Sequence, residues 1–223
     1  MSSDLIPAAT VVLVREASAG PEVLMVRRDS RLAFAGGMWV FPGGRIDAED
    51  FLDDPGDLAA AEQRAAAREA GEEAGLVVDP ASLRRWSHWT PPDHGQSHRF
   101  STAFFVGAAP TGEVVIDDGE IRAHRWIRPA LALEQRGPDG RIELSPPTFI
   151  TLVQLAAHDT VAAMLSRPED EVERFATVIA GLGDAMVALY HGDAGYETGD
   201  ATVEGPRHRL VMGPAEWTYL RDR

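Results

Sequence analysis

Cysteine and lysine are both missing from this 223-residue chain: Cys is 0, and all 21 of its Lys+Arg residues are arginine. Without cysteine, thiol nucleophiles, disulfide staples and thiolate zinc sites are excluded. Without lysine, a Walker A phosphate loop and Schiff-base chemistry are excluded as well. Positive charge is scarce, since 35 acids outweigh 21 bases for a formal net charge of −14. That balance argues against nonspecific nucleic-acid binding, which needs clustered cations on phosphates. It does not argue against a phosphate substrate, because bound metal ions can reverse the local potential of an acidic site. No apolar run reaches membrane-spanning length, and Met1-Ser2-Ser3-Asp4 lacks a basic leader segment, so a cytoplasmic protein with no membrane partner is expected.

What is there is ordinary for a folded chain: 44% hydrophobic and 25% charged residues, enough for one main core. Ile6 to Arg15 and Glu22 to Arg28 are rich in β-branched residues and flank Ser18-Ala19-Gly20-Pro21, which predicts two strands and a turn. A short apolar run, Met38 to Phe41, precedes Pro42-Gly43-Gly44, where glycine permits close backbone approach. Asp57 is a good N-cap for an alanine- and glutamate-rich helix over Leu58 to Ala74, and Gly75 stops it. Further strands are expected at Leu83 to Trp89, Arg99 to Val106 and Ile121 to Ile127. Ser145-Pro146 opens a helix, and Pro168-Glu169-Asp170-Glu171 is expected to open another with Val172, Phe175, Ala176, Ile179 and Leu182 as its apolar stripe. Gly181-Leu182-Gly183 lacks the third glycine and the preceding strand of a dinucleotide loop.

The chemistry concentrates on the first helix. Glu69, Glu72 and Glu73 stand at i, i+3 and i+4, so three acids share one face. Like charges at this spacing cost about 0.2 to 0.5 kcal/mol per pair. Gly71 between them costs about 1 kcal/mol relative to alanine. Two local rules broken within five residues suggest that function overrides stability there. With only oxygen ligands on offer, the relieving partner is a hard cation, Mg²⁺ or Mn²⁺. The alternative is a solvated acidic face, which acids alone leave open.

The segment Arg68-Glu69-Ala70-Gly71-Glu72-Glu73-Ala74-Gly75-Leu76 resembles the end of the Nudix hydrolase box at every specified position, and Phe41-Pro42-Gly43-Gly44 resembles its start. The chain departs from the box in one respect. Asp50 has the expected spacing from Gly44, but seventeen residues rather than seven separate it from Arg68. An insertion around 51–60, with Asp53-Asp54-Pro55-Gly56 as turn, accounts for the excess and leaves Asp50, Glu49 and Glu62 as contenders for the first box acid. The resemblance implies an α/β/α sandwich around a mixed sheet, spanning 1–165, followed by a C-terminal helical extension over 166–223 packed on the same domain. It also implies that Glu69, Glu72, Glu73 and the Gly43 carbonyl hold the metal, that Arg68 orients the acids, and that Glu120 acts as a distant base or extra ligand.

Arg28 to Gly44 with Phe34 and Gly37, together with Trp89-Thr90-Pro91, Arg99-Phe100, Phe104-Phe105 and Pro146-Pro147-Thr148, is similar to the coenzyme A diphosphatases of peroxisomal type and their bacterial relatives. Another coenzyme A signature in the family has an arginine where this chain has Ala33. The resemblance implies hydrolysis of the diphosphate of coenzyme A or an acyl derivative, a small-molecule partner. Arg27, Arg28, Arg31 and Arg45 are phosphate-binding candidates, with surface ion pairing as their other reading. Competing readings are NADH, ADP-ribose or another nucleotide-sugar diphosphate as substrate, and a Nudix-fold ligand-binding or regulatory module without turnover. A homodimer stays open. His88, His94 and His98 suit a loop or substrate edge better than a zinc site, and Trp86, Trp89 and Trp126 suit packing better than base stacking.

Overall fold

The structure, a computed structural model, describes residues 5–222 except 33–34, 53, 55, 94–98, 118, 138–141 and 169–171. Ala33, Phe34, Asp53, Pro55, His94, His98, Asp118, Glu169, Asp170 and Glu171 therefore lie outside the described residues.

Period-two alternation in the first strand, β1 (Leu5–Arg15), sets the layers. Val11 and Leu13 face one core, with Leu24, Phe105 and the helix residues Ala65, Ala66, Ala70 and Ala74. Val12 and Val14 face the other, with Met25, Trp86, Trp89, Phe104, Phe149, Ile150 and Leu152. Apolar on both faces, β1 belongs at the centre of a sheet, and that is where it lies. The order is β3 (Trp39–Val40), β2 (Glu22–Arg28), β1, β6 (Arg99–Ala108), β5 (Arg84–Thr90), β8 (Glu173–Ala176); β4 (Gly43–Arg45) also pairs with β1, and β7 (Ile121–Ile127) with β2. β1 runs antiparallel to β2 and β4 but parallel to β6, so the sheet is mixed.

Helix α1 (Leu58–Ala74) covers one face. Asp57 caps it by accepting from the Ala60 N–H at 3.0 Å. At the other end Gly75, in the left-handed conformation with φ +68°, ends the helix, Leu76 N–H donating to Ala70 O at 3.1 Å and Gly75 N–H to Gly71 O at 3.0 Å. Its buried side chains are alanines and three glutamates, Glu62, Glu69 and Glu73, so the helix sits close to the sheet with two carboxylates aimed toward β4. The opposite face is covered by α3 (Pro146–Leu155), whose Ser145 cap and Pro146 start match the sequence expectation, by α2 (Pro129–Glu134) and by α4 (Val161–Leu165). The α/β/α arrangement stands. None of the described helices is long and apolar enough to cross a membrane.

The C-terminal helical extension does not. Of the residues expected as a helix from Pro168 to Leu182, Glu173–Ala176 form β8 and Val178–Leu182 form β9, followed by β10 (Ala185–Leu189), β11 (His208–Met212) and β12 (Trp217–Arg221). The last four make an antiparallel sheet in the order β12-β11-β10-β9. Three features outweigh the helical spacing of the apolar stripe. Thr177-Val178-Ile179 is a β-branched run, Gly183 at φ +61° takes the first loop position of a two-residue hairpin between Leu182 and Ala185, and β8 pairs in parallel with β5, Ser87 opposite Glu173 through Thr90 opposite Ala176. In strand geometry Glu173 and Phe175 point inward, and Phe175 stacks on Trp89 with centroids 3.9 Å apart. Tyr190, Ala188 and Leu210 join the same core.

A buried ion pair fixes the long connection between β10 and β11. Asp193 accepts from Arg209 Nε at 2.7 Å and Nη2 at 2.6 Å, and from the backbone N–H groups of Gly195 and His208 at 2.8 and 2.9 Å. Burial opposes its charge, but the Arg209 bonds and these N–H groups prevail and bring the carboxyl down to about 2.

Candidate active site

The turn at Gly43-Gly44 and the helix α1 meet face to face. Glu73 accepts from the Gly43 N–H at 3.1 Å through Oε2 and from Arg28 Nη1 at 3.1 Å through Oε1. Glu69 lies under Gly44, so close that a Cβ there would overlap its carboxylate. A Cβ at Gly43 would instead meet the backbone, Ala9 O and Thr10 Cα, as well as Thr10 Oγ1, so only glycine fits there. The two consecutive glycines therefore bring backbone against both inward-facing acids.

Each acid is held by an arginine. Arg68 donates from Nη1 to Glu69 at 2.9 Å and to Glu72 at 2.8 Å, and from Nη2 to the Arg45 carbonyl at 2.9 Å. Its fork also engages Asp50, Nε to Oδ1 at 3.2 Å and Nη2 to Oδ2 at 3.0 Å. Arg28 bridges Glu73 to Glu120, whose Oε2 lies 2.8 Å from Nη2. The three helix acids thus divide: Glu69 and Glu73 are buried, whereas the Glu72 side chain is 58% exposed at the rim. Glu120 is likewise exposed.

Burial sets the electrostatics. It pushes the Glu73 carboxyl up to about 8, helped by the charges of Glu69 and Glu120 and opposed by Arg28 and the Gly43 N–H. Glu69 is shifted upward for the same reason, with Arg68 opposing and Glu72 and Asp47 adding to the rise. Two buried carboxylates beside a glycine turn form a donor set of oxygens that could hold a hard divalent cation.

Of the contenders for the first box acid, it is Asp50 that lies against Arg68. A 3₁₀ turn over Ala48–Phe51 buries it beneath Arg68, and its Oδ2 accepts from the Asp47 N–H at 2.9 Å. Glu49 is exposed, and Glu62 pairs instead with Arg85. The extra residues leave the site at once: Leu52, Asp54 and Gly56 are exposed. Of the phosphate-binding candidates, Arg28 is drawn into the acid network and Arg31 pairs with Asp29 at 2.7 Å. Arg45 contributes its carbonyl to Arg68 and leaves its side chain exposed. His88 is half-buried against Ser101 at 2.8 Å, and Trp86 and Trp89 are core residues. Sequence reasoning missed Asp29 and Arg122, whose ion pair between the residue after β2 and β7 no local pattern reveals.

A family model described as the NUDIX domain matches residues 4–146. The chain belongs to the Nudix family. Human acyl-coenzyme A diphosphatase NUDT19 is 32% identical to it over 121 residues, which is 52% of this chain and 32% of that protein; the match thus spans about a third of the relative's length. Among solved structures, a NUDIX hydrolase from Alicyclobacillus acidocaldarius aligns with a TM-score of 0.66 at 24% identity, covering 75% of this chain and 98% of that one. The NUDIX domain of Shewanella oneidensis NrtR, crystallised with ADP ribose, aligns with a TM-score of 0.52 at 16% identity over 70% of this chain and 88% of its own. These structural likenesses establish the Nudix fold.

Proposed function

We propose that this chain is a divalent-metal-dependent diphosphate hydrolase acting on coenzyme A or an acyl-coenzyme A. The reaction class rests on one observation: Glu69 and Glu73 are buried side by side on α1 against Gly43-Gly44, at a cost that a ligand-free structural helix would not bear. A module that only binds has no need of that cost. The substrate rests on the 32% identity to an acyl-coenzyme A diphosphatase across half of this chain.

In this reading Glu69, Glu73 and the Gly43 carbonyl hold Mg²⁺ or Mn²⁺, with Glu72 at the rim. The ion, when bound, neutralises phosphate oxygens and makes a nearby water more acidic. Arg68, locked by Asp50, keeps Glu69 and Glu72 in place. Arg28 positions Glu73 and tethers Glu120, an exposed carboxylate able to take a proton from the attacking water. Gly43 and Gly44, without side chains, let the diphosphate approach the acids. Water adds to one phosphorus and the bridging oxygen leaves on the other, so coenzyme A yields adenosine 3′,5′-bisphosphate and 4′-phosphopantetheine.

The test is a panel of coenzyme A, acetyl-coenzyme A, NADH, ADP-ribose and nucleoside triphosphates, each with Mg²⁺ and with Mn²⁺, compared by kcat/KM. The expected outcome is a clear preference for the coenzyme A species. Preference for NADH or ADP-ribose would overturn the substrate; no turnover of any member would overturn the reaction.

A further inference from the structure

Beside the acid network lies a cleft of about 280 Å³ lined by Arg27, Arg28, Asp29, Ser30, Gly37 and Arg122. In a chain carrying a formal charge of −14, three arginines around one cleft are a local reversal of sign. The reversal is built by the backbone. β2 pairs with β7 in regular register up to Arg27 opposite Ala123, and then slips so that Arg28 stands opposite Ile121. The extra residue of this bulge is Arg122 on β7, between Ile121 and Ala123. Arg122 lines the cleft together with Arg27 and Arg28, and Arg28 also reaches Glu73 and Glu120.

The three arginines are not equivalent. Arg28 is neutralised by the two glutamates. Arg122 is anchored by Asp29, which accepts its Nε at 2.6 Å and is itself fixed by the Arg31 backbone N–H at 2.9 Å and the Arg31 guanidinium. One carboxylate thus holds two guanidinium groups and fixes the orientation of Arg122. Arg27 is exposed, and its side chain makes no ion pair among the described residues. The cleft offers one unspent guanidinium and one preoriented guanidinium, next to a residue that touches the reacting-centre acids.

We propose that this cleft binds a phosphate monoester carried by the substrate apart from the diphosphate that is cleaved, with Arg27 and Arg122 as the specificity-determining pair and Asp29 as the positioning residue for Arg122. A dianionic monoester matches two guanidinium forks, which bind phosphate bidentately. The inference rests on the reading that the substrate is a coenzyme A species, whose ribose 3′-phosphate is such a group, and it makes that phosphate the feature that selects among adenine nucleotides.

Two measurements test it. The first compares kcat/KM for coenzyme A and 3′-dephospho-coenzyme A, with Mg²⁺, in the native chain and in Arg27→Gln, Arg122→Gln and the double variant. The native chain should favour coenzyme A by about ten- to a hundredfold, as expected for charge-assisted bonds to one phosphate. The variants should lose most of that ratio through KM for coenzyme A while handling the dephospho compound as before. Equal loss on both substrates, or no native preference, overturns the proposal. The second measures calorimetric affinity for adenosine 3′,5′-bisphosphate against adenosine 5′-monophosphate in EDTA, with unchanged melting temperature confirming that each variant is folded. If coenzyme A is not hydrolysed yet the bisphosphate binds tighter in an Arg27- and Arg122-dependent manner, the substrate reading fails and the subsite stands. If the two nucleotides bind alike, the subsite fails whatever the enzyme hydrolyses.

Discussion

Gly44 and Glu69 are in direct contact: a Cβ built on Gly44 would lie 2.7 Å from the Glu69 carboxyl carbon and closer still to Oε1. What stands in the way is the far end of a flexible side chain rather than backbone, so Gly44→Ala should leave the protein folded while turning the Glu69 carboxylate out of place. Displacement of a reacting group by about 1 Å can cost on the order of a hundredfold in rate. A fall of that size in kcat, with melting temperature within a few degrees of the parent, is the expected outcome. Unchanged kcat would show that Glu69 has no part in turnover.

Glu73→Gln keeps the volume of the side chain and removes its charge. Turnover should fall by roughly two to three orders of magnitude, since an electrostatic group at the centre of the site is lost. With a chelator present the variant should melt no lower than the parent, because burial already disfavours the Glu73 carboxylate. Steady-state rates with Mg²⁺ and with Mn²⁺, alongside melts in EDTA, check both halves.

Leu52 sits at φ 51°, ψ −127°, a region that only glycine enters freely, and its side chain is 69% exposed. Leu52→Gly should therefore stabilise the protein by about 1 kcal/mol and leave kcat/KM unchanged. Urea unfolding and a single activity assay decide it; a loss of activity would make the inserted segment part of the site.

Removing one partner of a buried pair leaves the other charge stranded, which costs about 3 to 5 kcal/mol. Asp193→Ala should show a loss of this order at neutral pH, with Arg209 abandoned. The pH dependence has a definite sign. Asp193 is held at about 2 in the folded chain against an ordinary aspartate value of about 3.8, so its contribution is complete above about 3.8 and disappears as pH falls through about 2. The stability gap between parent and variant, measured by urea titration, should be flat from neutrality to about pH 4 and narrow below it.

How far the sequence exposed these features depended on how local they were. Helix α1 was legible end to end because its signals, Asp57, the alanine run and Gly75, are all within the element. Asp50 was not, since spacing alone set it against Glu49 and Glu62; its burial under Arg68 appears only once the 3₁₀ turn is folded. The stripe Val172, Phe175, Ala176, Ile179 and Leu182 fits a helix as well as two strands, and what decides between them is the pairing of β8 with β5, some 86 residues earlier. The acids, and Arg68 beside them, could be read from the helix; Arg28, which holds Glu73, comes from β2 and could not be placed there without the sheet.

The central position of β1 bears on how the molecule comes into being. Its parallel neighbour is β6, so Leu5 must wait for Arg99, and Val14 for Ala108, before the middle of the sheet can form. A nascent chain would have emerged far past α1 before its earliest strand found that partner, and β8 joins β5 later again. Such distant pairings defer the gain of contacts until long loops have closed, which places refolding nearer milliseconds to seconds than microseconds, roughly. In that interval the unpaired N–H and C=O groups of β1, flanked by apolar side chains, are open to the wrong partner, and folding yield rather than final stability becomes the quantity most sensitive to changes in β6.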